Sequence, residues 1–291
     1  MTPLVKSPLM NAKEAIDGMT FGQRIRPVDA TWFMNGVRSA DSEFLNARLQ
    51  NAVRFDIDTV KDLSTPLPHM LPPPEVMQKW VDKAGIVRSS DTVLVYAQPG
   101  SFSAARVWWT FRAYGFSAAI LQGSITAWTQ AGGPIETGPV AEPALRPHAP
   151  DPVSLNPQYV VSMQEVKNHT ELKTGIVLDA RSAERFNGKV PEPRAGLERS
   201  HIPHSVNLPF SDLLQDDYTK FKSKEEIERI FEKVGVDYKT DSLIIPSCGS
   251  GVSACVLVAG LEIVGRPAER TPVYDGSWAE WGAKADTVKE L

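Results

Sequence analysis

The amino-acid sequence predicts an α/β protein in two tandem copies, each a mainly parallel sheet flanked by helices on both faces. Three observations predict it. Short β-rich runs alternate with longer helical patterns, and that alternation implies parallel strands joined by crossover helices. Whole phrases of the first half recur in the second. A proline-rich stretch with no apolar period separates the two.

The strand pattern is clearest from Thr92 to Ala97 in the first copy and from Ser242 to Ile245 in the second, and helical patterns run from Ala104 to Tyr114 and from Lys224 to Val234. The repeat is visible word by word. Val28-Asp29-Ala30 is answered 150 residues on by Leu178-Asp179-Ala180, and KAGIVRSSDTVLVYA from Lys83 by KVGVDYKTDSLIIPS from Lys233. LQGSITAW from Leu121 is answered by YDGSWAEW from Tyr274, now 153 residues on, the change of offset a loop insertion produces. Between the copies, TGPVAEPALRPHAPDPVSLNP holds six prolines; proline fixes φ and removes a donor, so this reads as an extended linker. The expected division is residues 1–138, a linker at 139–157, and residues 158–291.

With 42% hydrophobic and 23% charged residues the chain has an ordinary globular composition. A net charge of -4 lacks the basic footprint of a nucleic-acid binder. No apolar run approaches the roughly 18 residues a membrane span needs, and the first residues carry no hydrophobic signal core. A cytoplasmic protein is expected, with a weak organellar signal near Lys6 and Lys13 leaving the mitochondrion as the alternative. The two cysteines, Cys248 and Cys255, form no metal cluster, and a disulfide is not expected in an intracellular chain. Neither metal nor cofactor is expected.

The segment CGSGVSAC begins where the second copy's strand ends, and an apolar helical run, ACVLVAGLEIV, follows. Gly249 and Gly251 permit backbone angles that let successive N–H groups turn inward, and a helix N-terminus beyond adds its positive dipole. Such surroundings favour a thiolate at Cys248, the form that attacks, at the carboxyl end of a strand where α/β sheets bind ligands. The competing reading is a buried, inert cysteine beside a tight turn. Cys255, inside the apolar run, reads as core packing. The repeat supplies a control: Gln98 stands where the second copy has Cys248, so the first copy has no nucleophile in this loop.

These residues resemble the tandem rhodanese-domain sulfurtransferases, on the branch that uses 3-mercaptopyruvate. FDID, PLPHMLP, SAARVWWTFRAYG and GSITAW carry the likeness in the first half; LDARSAERF, PEPR, SHIPHSVNLP, CGSGVS and YDGSWAEW carry it in the second. The two residues after the cysteine are the specific part, since thiosulfate-preferring relatives have basic residues where this chain has Gly249 and Ser250. Phosphatases with a similar loop place an arginine six positions after the cysteine; position 254 is alanine, so the phosphate clamp is missing.

The resemblance implies two rhodanese-like domains and assigns Cys248 as nucleophile, with Gly249, Gly251, Val252 and Ser253 forming the loop around substrate. It implies that Arg185 and Arg194, in ERF…PEPR, hold the substrate's carboxylate and carbonyl, a task suited to arginine. It further implies Asp58, His69 and Ser250 as helpers in proton transfer, and a structural role for Arg181. Ser200 and His204 depart from the family, which has glycine at both. The implied reaction moves sulfur from 3-mercaptopyruvate through a Cys248 persulfide to a thiol, a thioredoxin-like protein or cyanide, releasing pyruvate. The alternatives are a thiosulfate sulfurtransferase and a persulfide relay or binding protein with a partner in tRNA or cofactor thiolation.

Overall fold

The computed structural model describes residues 7–36, 38–140, 151–215 and 217–291. The chain forms two compact units that are not contiguous in sequence. One comprises Met1–Asp62, Pro72–Asn156 and Asp216–Lys220; the other comprises Leu63–Leu71, Pro157–Gln215 and Phe221–Leu291.

In order, the first unit contains β1 (Leu9–Met10), α1 (Ala12–Thr20), β2 (Ile25–Asp29), α2 (Ala40–Asn46), β3 (Arg48–Leu49), β4 (Val53–Arg54), α3 (Pro74–Ala84), β5 (Thr92–Tyr96), α4 (Ala104–Ala113), β6 (Ser117–Leu121), α5 (Ser124–Gln130) and β7 (Ile135–Glu136). Its five-stranded sheet has the order β1-β6-β5-β2-β4 with every pair parallel. β6 is buried at every residue and β5 from its second residue on. Successive side chains point to opposite faces, so the sheet is covered on both. One face packs Leu94, Tyr96, Ala119 and Leu121 with Trp128 and Ala15.

The second unit repeats the plan with β8 (Val160–Val161), α6 (Met163–Leu172), β9 (Gly175–Asp179), α7 (Ala183–Phe186), β10 (Val206–Asn207), α8 (Lys224–Lys233), β11 (Leu243–Ser247), α9 (Ala254–Ile263), β12 (Val273–Tyr274) and α10 (Ser277–Trp281). Strands β10, β9 and β11 form one parallel sheet and β12 and β8 a parallel pair. The order matches the first unit with a break between β11 and β12. Sequence accounts for the break: Pro272 occupies the position of Ala119, which pairs with Leu94 in the first sheet, and proline brings no N–H to a ladder. Val177, Ile245, Tyr274, Trp278 and Trp281 pack together as a core. Ser162 and Ser223 begin α6 and α8 with complete capping boxes, each cap stabilising its helix by about 1 kcal/mol.

Residues 141–150 of the expected linker lie outside the described residues, as does Lys6. The linker's later part is tied to the first unit: Arg88 Nη2 and the Ser89 N–H donate to Asp151 at 2.8 and 2.9 Å, and Asn156 N–H donates to the Ala113 carbonyl at 2.8 Å. Among the described residues no helix is long and apolar enough to cross a membrane.

Candidate active site

Strand β11 ends at Ser247, and the chain turns through Cys248 to Ser253 before α9 begins. Gly251 lies at φ 76°, a value that glycine adopts without strain. Cys248 is 2% exposed, and the Ser250 N–H points at its Sγ from 3.4 Å. The loop's amides do not all converge on the sulfur as the glycine pattern suggests. Those of Cys248 and Gly251 meet instead at Ser277 Oγ, at 3.1 and 3.0 Å, and that hydroxyl donates to the Tyr274 carbonyl at 2.8 Å. Ser277 is fully buried.

The first turn of α10 completes the support. Trp278 N–H donates to the Cys248 carbonyl and Ala279 N–H to that of Gly249, both at 3.0 Å. These first-turn amides have no partner within their own helix, and here they fix the loop's outer strand of carbonyls. Cys255 is buried in α9, with its Sγ 3.3 Å from the Gly251 carbonyl. Val252 and Ser253 are also buried.

Arg185, on α7, reaches the loop. A Cβ on Gly249 would stand 2.8 Å from its Nη2, so the guanidinium lies against backbone that only glycine leaves open. Glu192 orients it, accepting from Nε at 3.3 Å and Nη2 at 2.5 Å. The same buried carboxylate accepts from Arg181 Nη1 at 2.8 Å. Arg181 also forks onto Asp179, donates to the Ser200 carbonyl and stacks over the Trp278 ring, with its Cζ 4.4 Å from the centroid. Burial opposes its charge, but Asp179 and Glu192 outweigh burial and hold the guanidinium above its ordinary pKa. His204, where the family has glycine, sits at φ 59°, the left-handed region. Its N–H donates to Glu290 at 2.9 Å.

Arg194 meets His69: Nη2 lies 3.2 Å from Nε2. Both belong to the second unit. Asp58 belongs to the first, where its carboxylate accepts from the Trp32 indole N–H at 2.8 Å. The corresponding loop of the first unit holds no nucleophile. Gln98 Nε2 donates to the Ala47 carbonyl, Ser101 and Ser103 bond each other at 2.7 Å, and Arg38 Nη1 donates to the Pro99 carbonyl.

Glu192 and Ser277 are the site residues that sequence reasoning passed over. Glu192 lies inside PEPR between the two arginines, and Ser277 in a phrase repeated as Gly123-Ser124 and Gly276-Ser277; those were the available signals.

The match to the rhodanese-like domain covers residues 35–131 and 162–284. The chain belongs to the rhodanese family. Its rhodanese relatives include the human 3-mercaptopyruvate sulfurtransferase, 36% identical over 283 residues that cover 95% of this chain and 92% of the human one. An Arabidopsis thaliana thiosulfate/3-mercaptopyruvate sulfurtransferase, described as mitochondrial, is 35% identical over 90% of this chain and 73% of its own. Among solved rhodanese folds, the crystal structure of SseA from Escherichia coli, a 3-mercaptopyruvate sulfotransferase, superposes with a TM-score of 0.79 at 32% identity, covering 94% of this chain and 99% of that one.

Proposed function

We propose that this rhodanese moves the sulfur of 3-mercaptopyruvate to a thiol acceptor through a persulfide on Cys248. The observation that carries the reading is the guanidinium of Arg185 laid against Gly249, one residue from the only cysteine in a loop braced from below by Ser277. Glu192 occupies the Nε and Nη2 edge of Arg185. Nη1 is left for the carboxylate or carbonyl of a small keto acid, with Arg194 as the second donor, and planar oxyanions are what arginine binds best.

Cys248, as thiolate, attacks the substrate sulfur. The carbon–sulfur bond breaks, the sulfur stays on Cys248 as a persulfide, and pyruvate departs as its enolate, which takes up a proton to become pyruvate. Ser250 supports this step twice, its N–H reaching the nucleophilic sulfur and its hydroxyl standing as proton donor. In the second half-reaction an acceptor thiolate attacks the outer sulfur and Cys248 leaves as thiolate. A thioredoxin-like dithiol fits as acceptor, since its second thiol releases the sulfur as sulfide while closing a disulfide. One relative is described as mitochondrial, which supports the mitochondrion as one compartment for this chain.

The test is sulfur transfer itself. Incubation with 3-mercaptopyruvate should add one sulfur to the peptide that contains Cys248, and Cys248→Ser should abolish both that adduct and turnover. Initial rates should be higher with mercaptopyruvate than with thiosulfate. Normal transfer by the serine variant would remove Cys248 as nucleophile, and faster use of thiosulfate would overturn the donor.

A further inference from the structure

We propose that His69 is a positioning residue for Arg194, held to this task by Asp275. The inference rests on the reading of Arg194 as a keto-acid ligand, and it gives His69 a role different from proton relay. His69 and Arg194 are 125 positions apart, yet the segment Leu63–Leu71 packs as part of the second unit. What anchors it there is the N–H of Leu71, which donates to Asp275 Oδ2 at 2.7 Å. Asp275 is 2% exposed and lies two residues before Ser277. One short turn after β12 thus holds the cysteine loop through Ser277 and the His69 segment through Asp275.

The chemistry of the contact fixes the state of the ring. A guanidinium has donors only, so at 3.2 Å the His69 Nε2 accepts from Arg194 Nη2, and the neutral ring carries its proton on Nδ1. While that bond stands, Nε2 has no proton to deliver. His69 is 4% exposed and its backbone sits at φ 57°, a conformation that residues with a Cβ avoid and that persists where surrounding contacts over-determine it. Contacts on this segment include that of Arg194 with the ring itself and that of Asp275 with the backbone of Leu71, two residues on. Arginine loses much side-chain freedom when it binds, and a guanidinium already oriented by His69 loses less when substrate arrives.

Three substitutions in the full chain separate positioning from relay. In glutamine the side-chain oxygen reaches the place of Nε2; in asparagine it reaches only that of Nδ1; alanine reaches neither. Pyruvate is the probe, and its protection of Cys248 from iodoacetamide gives an affinity without requiring turnover. His69→Ala and His69→Asn should weaken protection by about tenfold or more, the worth of one charge-assisted hydrogen bond, and His69→Gln should recover most of the loss. KM for mercaptopyruvate should follow the same order, and alkylation without pyruvate should match the wild type in all three, which checks the fold. Equal protection in the wild type and His69→Ala would overturn the proposal. So would a loss in kcat alone that glutamine fails to rescue, the signature of a relay. Failure of pyruvate to protect even the wild type would instead remove the keto-acid site on which the proposal rests.

Discussion

Replacing Ser277 with alanine tests whether the cysteine loop is braced by a single buried hydroxyl. The Ser277 hydroxyl accepts from the amides of Cys248 and Gly251 and donates to the Tyr274 carbonyl, all within 3.1 Å and fully buried. Its removal takes one hydrogen bond from each of three polar groups where water does not reach, at about 1–3 kcal/mol each before relaxation. Allowing the loop to recover part of this, the loss should be about 3 kcal/mol, or about 6–12 °C in the thermal midpoint. Ser124, the equivalent residue of the first copy, provides the control. Its hydroxyl donates to the Ala97 carbonyl alone among the contacts described, so Ser124→Ala should cost about 1 kcal/mol. Thermal unfolding of the two variants, with iodoacetamide alkylation of Cys248 at fixed pH, measures both stability and loop order. If Ser277→Ala unfolds within about 1 kcal/mol of the wild type, matches Ser124→Ala, and leaves the alkylation rate unchanged, the bracing argument is wrong.

Two further substitutions follow from buried charges. Glu192→Gln removes the carboxylate shared by Arg181 and Arg185; breaking one side of a buried ion pair costs about 3–5 kcal/mol, and a disoriented Arg185 should raise KM for mercaptopyruvate, so a variant with wild-type urea midpoint and KM would deny Glu192 this role. Burial, opposed by hydrogen bonds from Thr31, raises the Asp29 carboxyl above its ordinary value. The folded state therefore holds that proton to higher pH than the unfolded one, and stability from this group is complete below about pH 4 and lost as pH climbs through the folded value. Asp29→Asn cannot ionise, so its stability relative to the wild type should rise between about pH 4 and pH 7; a constant difference across urea titrations in that range would contradict the shift.

Local, contiguous features were legible in the sequence. The helices at Ala104–Ala113 and Lys224–Lys233 fall within a residue of the apolar patterns, and β11 runs two residues past Ile245 to Ser247. The cysteine turn is equally local, because glycines, strand end and helix start all lie within a few positions of Cys248. Contacts across sequence were not legible. Ser277 reaches Cys248 over 29 positions, and Asp275 reaches Leu71 over 204. Only folding brings them together.

By itself, the sequence determined that the chain is a duplicated α/β fold and that one of its two equivalent loops carries a thiol. Periodicity, repetition and residue chemistry are properties of the chain, so they needed no coordinates. Tertiary structure alone decided which groups support that thiol: Glu192 on Arg185, Ser277 under the loop amides, and a segment from residues 63–71 joined to the second unit. Hydrogen bonds form between groups that the fold brings within about 3 Å, and sequence separation leaves that proximity unspecified.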